Sequence, residues 1–378
     1  MIGLRASINY YRTIAVNIIV LGLLLVALEG LASYTILLYD IATTSPLVER
    51  RHTQYDPDLG WVHVPNIRIA DLYGPDKYLA INSQGFRSER NFDLAVPDGK
   101  VRIICSGDSF TLGYGVDNRH AWCELLTSFD PRLETLNMGQ GGYGVDQAYL
   151  WYKRDGSKFA HQIQLLSFIT DDFLRMPFDS FYGYAKPVLK ERNGALVIDN
   201  VLVPRRTYDL SWLTTQVGNV NQLRTVQFVT KALRKVGLTS RNAPRTTESD
   251  AREETKRVLR KIFEDLKRSN EMKGSRLVLV LFPVEDELLK ETPQDWIEFI
   301  ETESNAQGIL LINLFDDFHS LPRKDILDMF GTDWHFTERG NEFVARVIYE
   351  RLRNEPSLAQ LFSVHRHDRQ AAQATAAE

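Results

Sequence analysis

Cysteine is nearly absent from this chain, with only Cys105 and Cys123 in 378 residues. That excludes a disulfide-framework fold, and no Cys/His cluster has metal-ligand spacing, so no metal and no other cofactor is expected. Both cysteines lie among apolar residues. The reading favours buried thiols, with a disulfide as the alternative in an oxidising compartment. A charge excess is missing as well. Lys and Arg number 45 against 49 Asp and Glu, a net charge of −4, which leaves no basic footprint for nucleic acid. Internal repeats are also missing. With 44% hydrophobic residues, a chain of this length can build one ordinary domain plus extensions.

One apolar run is long. Residues 13–39 are nearly all apolar, enough to cross a bilayer core that needs ~20 residues and too long for a signal-peptide core. Arg5 and Arg12 precede the run, which predicts a cytoplasmic segment 1–12 and an exported remainder. Glu29 is the exception inside it. A carboxylate at mid-bilayer costs about 2.5–3.5 kcal/mol, so the reading places it at the outer interface, with a partner-helix contact as the alternative.

Beyond the span, residues 40–95 hold too many aromatics for a flexible linker and read as an ordered strap. Apolar strand patterns at 102–106, 134–137, 164–169, 276–282 and 309–314 alternate with helical patterns at 121–128, 145–154, 293–305 and 338–353. That alternation predicts an α/β domain over 96–356 with a parallel sheet and helices on both faces. Residues 173–275 exceed one crossover and are expected to form a cap-like insertion. It contains a hairpin around Asn193-Gly194 and helices at 219–236 and 248–272. The tail 357–378 is expected to be disordered.

The chemistry concentrates at strand ends. Gly107-Asp108-Ser109-Phe110 follows the apolar run Val101-Arg102-Ile103-Ile104-Cys105 and leads into a Gly-rich loop, a place where a serine nucleophile can be displayed. Asp333-Trp334-His335 lies far downstream, just before the last helix. Ser109 as nucleophile, His335 as base and Asp333 as orienting acid make one chain order of a Ser-His-Asp triad. Thr337 is placed to cap the helix that follows. His120, His161 and His319 are lone and read as structural or exposed, and Trp122 and Trp151 as packing residues.

These blocks resemble the SGNH/GDSL hydrolases, and the resemblance runs over residues 55–355. Asn137-Met138-Gly139-Gln140-Gly141-Gly142 is similar to the family's second block, and Ile169-Thr170-Asp171-Asp172 to its third. The segments Asp56-Pro57-Asp58-Leu59-Gly60-Trp61 and Asn82-Ser83-Gln84-Gly85-Phe86-Arg87 resemble the lead-in of membrane-anchored bacterial members. The resemblance implies a flavodoxin-like three-layer α/β fold preceded by one transmembrane helix. It also implies an oxyanion hole from the N–H groups of Ser109 and Gly142 and a third-block side chain. There the sequence departs, because Asp171 stands where the family has Asn. An ionised carboxylate accepts and cannot donate, so Asp171 as a neutral acid, or Thr170, is the third donor considered. The spacing Asp333-x-His335 is one residue shorter than usual, with Thr332 at the usual place.

The function implied is a serine esterase or O-acyltransferase, anchored in the inner membrane and facing the periplasm. Its substrates would be acyl esters, acetyl groups of envelope or secreted polysaccharide first among them. An inactive membrane-tethered glycan-binding or assembly component, motivated by Asp171, and a lipid or thioester acyl hydrolase are the alternatives.

Overall fold

The computed structural model describes residues 2–43, 52–181, 184–204, 225, 245–331 and 334–362. The chain divides into two units, residues 1–47 with 206–250, and residues 48–205 with 251–378.

In the first unit, α1 (Ile2–Thr43) is one continuous helix. Its stretch Tyr10–Thr35 has a mean hydropathy of 2.5 and exposes its apolar side chains all round, so it is long and apolar enough to cross a membrane. Glu29 is not solitary. Its carboxylate accepts from the Thr225 N–H at 3.0 Å and from the Thr225 hydroxyl. The rest of the helix expected at 219–236 lies outside the described residues.

The second unit is built on five parallel strands, β1 (Val101–Gly107), β2 (Leu133–Gly139), β3 (Ile163–Phe168), β4 (Arg276–Leu281) and β5 (Leu310–Asn313). Their order across the sheet is β2-β1-β3-β4-β5. This is the flavodoxin-like order, in which ligands bind beyond the carboxyl ends of the strands where the order reverses, beside β1 and β3. The strands are buried on both faces, so side chains alternate between two cores. Ile104, Leu136, Leu166 and Leu279 pack against α4 (Val145–Arg154), α6 (Arg245–Glu271) and α7 (Gln294–Gln307). Ile103, Leu165, Val280 and Ile312 pack against α3 (Trp122–Phe129) and α8 (Glu338–Asn354). Three layers result, as expected.

Three findings adjust the sequence reading. Cys105 and Cys123 are joined in a disulfide, not held as free thiols. The loop after β1 folds α3 back over the strand, bringing the two Cα atoms to 6.4 Å, and closing such a loop is worth about 3 kcal/mol. Within the expected insertion, the hairpin Val188–Arg192/Ala195–Asp199 turns at Asn193-Gly194, both with positive φ. The helix α6, by contrast, buries Val258, Leu259, Ile262 and Phe263 in the core and serves as the crossover into β4. Finally, Ala359–Phe362 of the expected tail is helical, with Leu358 and Phe362 buried against the α8 side of the sheet. The remainder of the tail lies outside the described residues.

The strap is ordered over its described part. Thr53–Asp56 pairs antiparallel with Gly60–His63, and Ile67–Ile69 with Leu79–Ile81. Gly60 has φ +87, and a Cβ there would lie 2.2 Å from the Ala185 carbonyl oxygen, so the turn requires glycine.

Candidate active site

Ser109 opens the short helix α2 (Ser109–Leu112) at the carboxyl end of β1. Asp108 caps it, its Oδ1 accepting from Phe110 N–H at 2.9 Å and from Thr111 N–H. The helix lies against the end of β2 so closely that a Cβ on Gly139 would meet Leu112 N at 1.9 Å. Asn137 secures this contact, with Nδ2 donating to the Thr111 carbonyl at 2.9 Å and Oδ1 accepting from Gly139 N–H at 2.9 Å.

Across 226 residues of sequence, His335 Nε2 comes to 2.8 Å from Ser109 Oγ, the distance of a hydrogen bond. Phe110 and Tyr114 pack on the imidazole with ring centroids 4.9 and 4.7 Å away. The next residue, Phe336, is buried, and the Thr337 hydroxyl accepts from Gly340 N–H at 3.2 Å, capping α8 and fixing the chain that carries His335. Trp334 is 73% exposed and held at φ +63. Asp333 and Thr332 lie outside the described residues.

Two backbone donors face no acceptor. Among the described residues, nothing accepts from the N–H of Ser109 or of Gly142. Gly142 sits at φ +77 in the loop after β2, a conformation in which L side chains are strained. The third block divides unexpectedly. Asp171, in the first turn of α5 (Thr170–Arg175), is exposed, while Asp172 is buried. Thr170 is buried too, and its hydroxyl hydrogen-bonds the Glu287 carboxyl group, so its one proton is engaged away from Ser109.

Sequence reasoning missed the cluster beneath the nucleophile. Asp172 accepts from Arg175 Nη1 at 2.7 Å and from Ile169 N–H at 3.2 Å. The same Nη1 donates to the Tyr143 carbonyl at 3.2 Å and lies 4.0 Å from Asp108 Oδ2. Burial pushes the Asp172 carboxyl well up, and the neighbouring Asp108 adds to this; Arg175 opposes both. Burial likewise raises Asp108, against the pull of Arg175 and then His335. One guanidinium thus ties the turn before Ser109 to the loop carrying Gly142.

Arg87 was missed as well, although its sequence block was noted. It is buried, and Nη1 donates to the carbonyls of Gly113 (2.6 Å) and Leu112, Nη2 to Val116 (2.6 Å), and Nε to Asn118 Oδ1 (3.1 Å). Two of the histidines read as lone have local partners. His161 is buried among Phe159, Tyr152 and Asn270, while His120 pairs with Asp117 at 2.9 Å.

No protein-family model and no curated protein matches this sequence. Solved structures are similar to it. One is a member of the lipolytic protein G-D-S-L family from Veillonella parvula, 15% identical over 68% of this chain and 100% of that one, with a TM-score of 0.37. Another is the acetyl xylan esterase AlAXEase, 13% identical over 67% and 100% of the two chains, TM-score 0.40. A third is the lipase/acylhydrolase from Enterococcus faecalis, 13% identical over 67% and 95%, TM-score 0.35. The structures to which this α/β chain is similar thus include a G-D-S-L family lipolytic protein, an acetyl xylan esterase and a lipase/acylhydrolase.

Proposed function

We propose that the protein is a serine ester hydrolase or O-acyltransferase, anchored by α1 and acting outside the cytoplasm on O-acyl groups, acetyl first among them, of envelope or secreted polysaccharide. The contact of Ser109 Oγ with His335 Nε2 at 2.8 Å carries this reading. Ser109 Oγ attacks the acyl carbonyl carbon as His335 Nε2 takes its proton. The N–H groups of Ser109 and Gly142 receive the oxyanion, where loss of one donor costs about 10²–10³ in rate. His335 then returns the proton to the departing sugar oxygen, leaving acyl-Ser109. Attack by water regenerates the serine as an esterase; attack by a glycan hydroxyl transfers the acyl group. Asp333 is the group proposed to hold the His335 tautomer.

The exported placement is supported by Arg5 and Arg12 before the apolar run and by the Cys105–Cys123 disulfide, a bond that persists in oxidising compartments. Such a placement puts the site among acylated glycans, and the exposed Trp334 beside His335 offers an aromatic face to a sugar ring. Turnover of p-nitrophenyl acetate by the full chain in detergent tests the chemistry. Wild type should hydrolyse the ester and Ser109→Ala should not; equal rates would exclude Ser109 as the nucleophile.

A further inference from the structure

We propose that Trp61, in the strap, is a positioning residue for the oxyanion site, because its indole N–H sets the plane of the peptide that presents the Gly142 N–H. The inference rests on the reading of Ser109 as nucleophile given above. In a trans peptide the carbonyl of one residue and the N–H of the next point in opposite directions. Whatever grips the Gly141 carbonyl therefore aims the Gly142 N–H the other way. Trp61 Nε1 donates to that carbonyl at 3.0 Å, and the bond is buried.

Such a grip is needed here. Two consecutive glycines leave the 141–142 backbone with the widest conformational freedom of any pair, and Gly142 must hold φ +77. Among the described residues, no side chain of the loop itself hydrogen-bonds this peptide. Trp61 does, and it is immobile: it is 2% exposed, with Tyr143 edge-on at 5.4 Å and Tyr184 tilted at 5.4 Å. The Tyr143 hydroxyl donates back to the Trp61 carbonyl, so loop and strap hold each other. The ring also walls the turn, since a Cβ on Gly142 would lie 3.5 Å from Trp61 Cζ2 and 3.1 Å from Phe181 Cδ1. A donor on the carbonyl further polarises the peptide and strengthens its N–H as a donor.

The peptide two positions earlier, 139–140, is held in the same way. His63 Nε2 donates to the Gly139 carbonyl at 2.9 Å, and Gln140 N–H on the opposite edge donates to the Gly107 carbonyl at 3.1 Å. The strap in turn is anchored to α4, through Gln147 Nε2 to the Leu59 carbonyl at 2.8 Å and Arg154 to Asp56 at 2.8 Å. Its hairpin thus works as a brace whose two ring donors set two peptides of the oxyanion loop, 139–140 and 141–142.

The test uses the full chain in detergent with p-nitrophenyl acetate and a fluorophosphonate. Trp61→Phe keeps an aromatic ring and deletes the donor. Should that variant not fold, 3-benzothienylalanine installed at position 61 keeps the indole outline and removes only the N–H. The expected result is a fall in kcat of about tenfold to hundredfold, part of the loss of a whole oxyanion donor, with KM unchanged. The phosphonate labelling rate should fall by the same factor. A packing role alone would lower the melting temperature without that split. A folded variant with wild-type kcat, or with its loss confined to KM, would overturn the assignment. Wild-type protein that neither turns over nor labels would instead remove the reading of Ser109, and with it the oxyanion role given to Trp61.

Discussion

Arg87 offers the sharpest quantitative prediction. Its guanidinium is buried and, among the described residues, hydrogen-bonds no carboxylate; the carbonyls at the end of the serine loop and the Asn118 side chain accept from it instead. Arg87→Met preserves the stem and deletes the fork. The carbonyls of Leu112, Gly113 and Val116 then lose their donor in a site too buried for full rehydration, at about 1–3 kcal/mol for each orphaned group. The relief of not burying a charge offsets much of that sum, and a net loss of about 3–4 kcal/mol is expected. Spread over the local opening of residues 109–118, that corresponds to amide exchange about 10²–10³ faster than in wild type. Because Ser109 begins this loop, kcat should fall too, on the order of 10²-fold for a misplacement near 1 Å. Arg87→Lys should recover only part, since an ammonium cannot span the three carbonyls as a planar fork does. Hydrogen exchange with mass spectrometry on the full chain reads the opening peptide by peptide. Unchanged exchange over 109–118 together with unchanged kcat in Arg87→Met would refute the clamp.

Three further outcomes follow. Burial holds the His63 imidazole down at about 3, against 6.5 unfolded, so between those values the unfolded chain binds the extra proton and stability falls as pH falls, by up to about 1.4 kcal/mol per unit. The raised Asp108 and Asp172 act in the opposite sense, so the readout is the difference: His63→Gln should flatten the acid limb of an unfolding series between pH 6.5 and 3, and an identical limb would contradict the burial argument. Asp171→Asn should shift kcat by less than about threefold, because the side chain is exposed and two backbone N–H groups are free for the oxyanion; a gain on the scale of a whole oxyanion donor would place it in the hole. A reporter active only outside the cytoplasm, fused after Glu378, should be active, whereas signal from a cytoplasm-only reporter there would reverse the topology.

Much of the fold was legible because it is local. The five strands stand out as short apolar runs, and the helices at 145–154 and 338–353 as amphipathic segments, so their ends agree with the structure to within a residue or two. Asn193-Gly194 signalled its hairpin through the positive φ both residues must adopt. The pairing of Ser109 with His335 is not local, and it was legible only through the order of blocks that resemble a known family. What stayed hidden depends on contacts between distant segments. Trp61 meets Gly141 across 80 residues, and Arg87 meets Val116 across 29. No periodicity in either segment records its partner. The disulfide was missed for the same reason, since a buried thiol and a half-cystine look alike until the fold brings the second cysteine near. In the third block, sequence directed attention to Asp171, while the fold buries its neighbour Asp172 against Arg175.

The central claim is that Ser109 is a nucleophile activated by His335. Fluorophosphonate labelling of the full chain, read by intact mass and peptide mapping, tests it most directly. The account predicts one adduct per chain, on Ser109, absent in Ser109→Ala and slowed on the order of 10³-fold or more in His335→Ala, where the base is gone. An adduct on another residue, or a wild-type protein that stays unlabelled while folded, would contradict it.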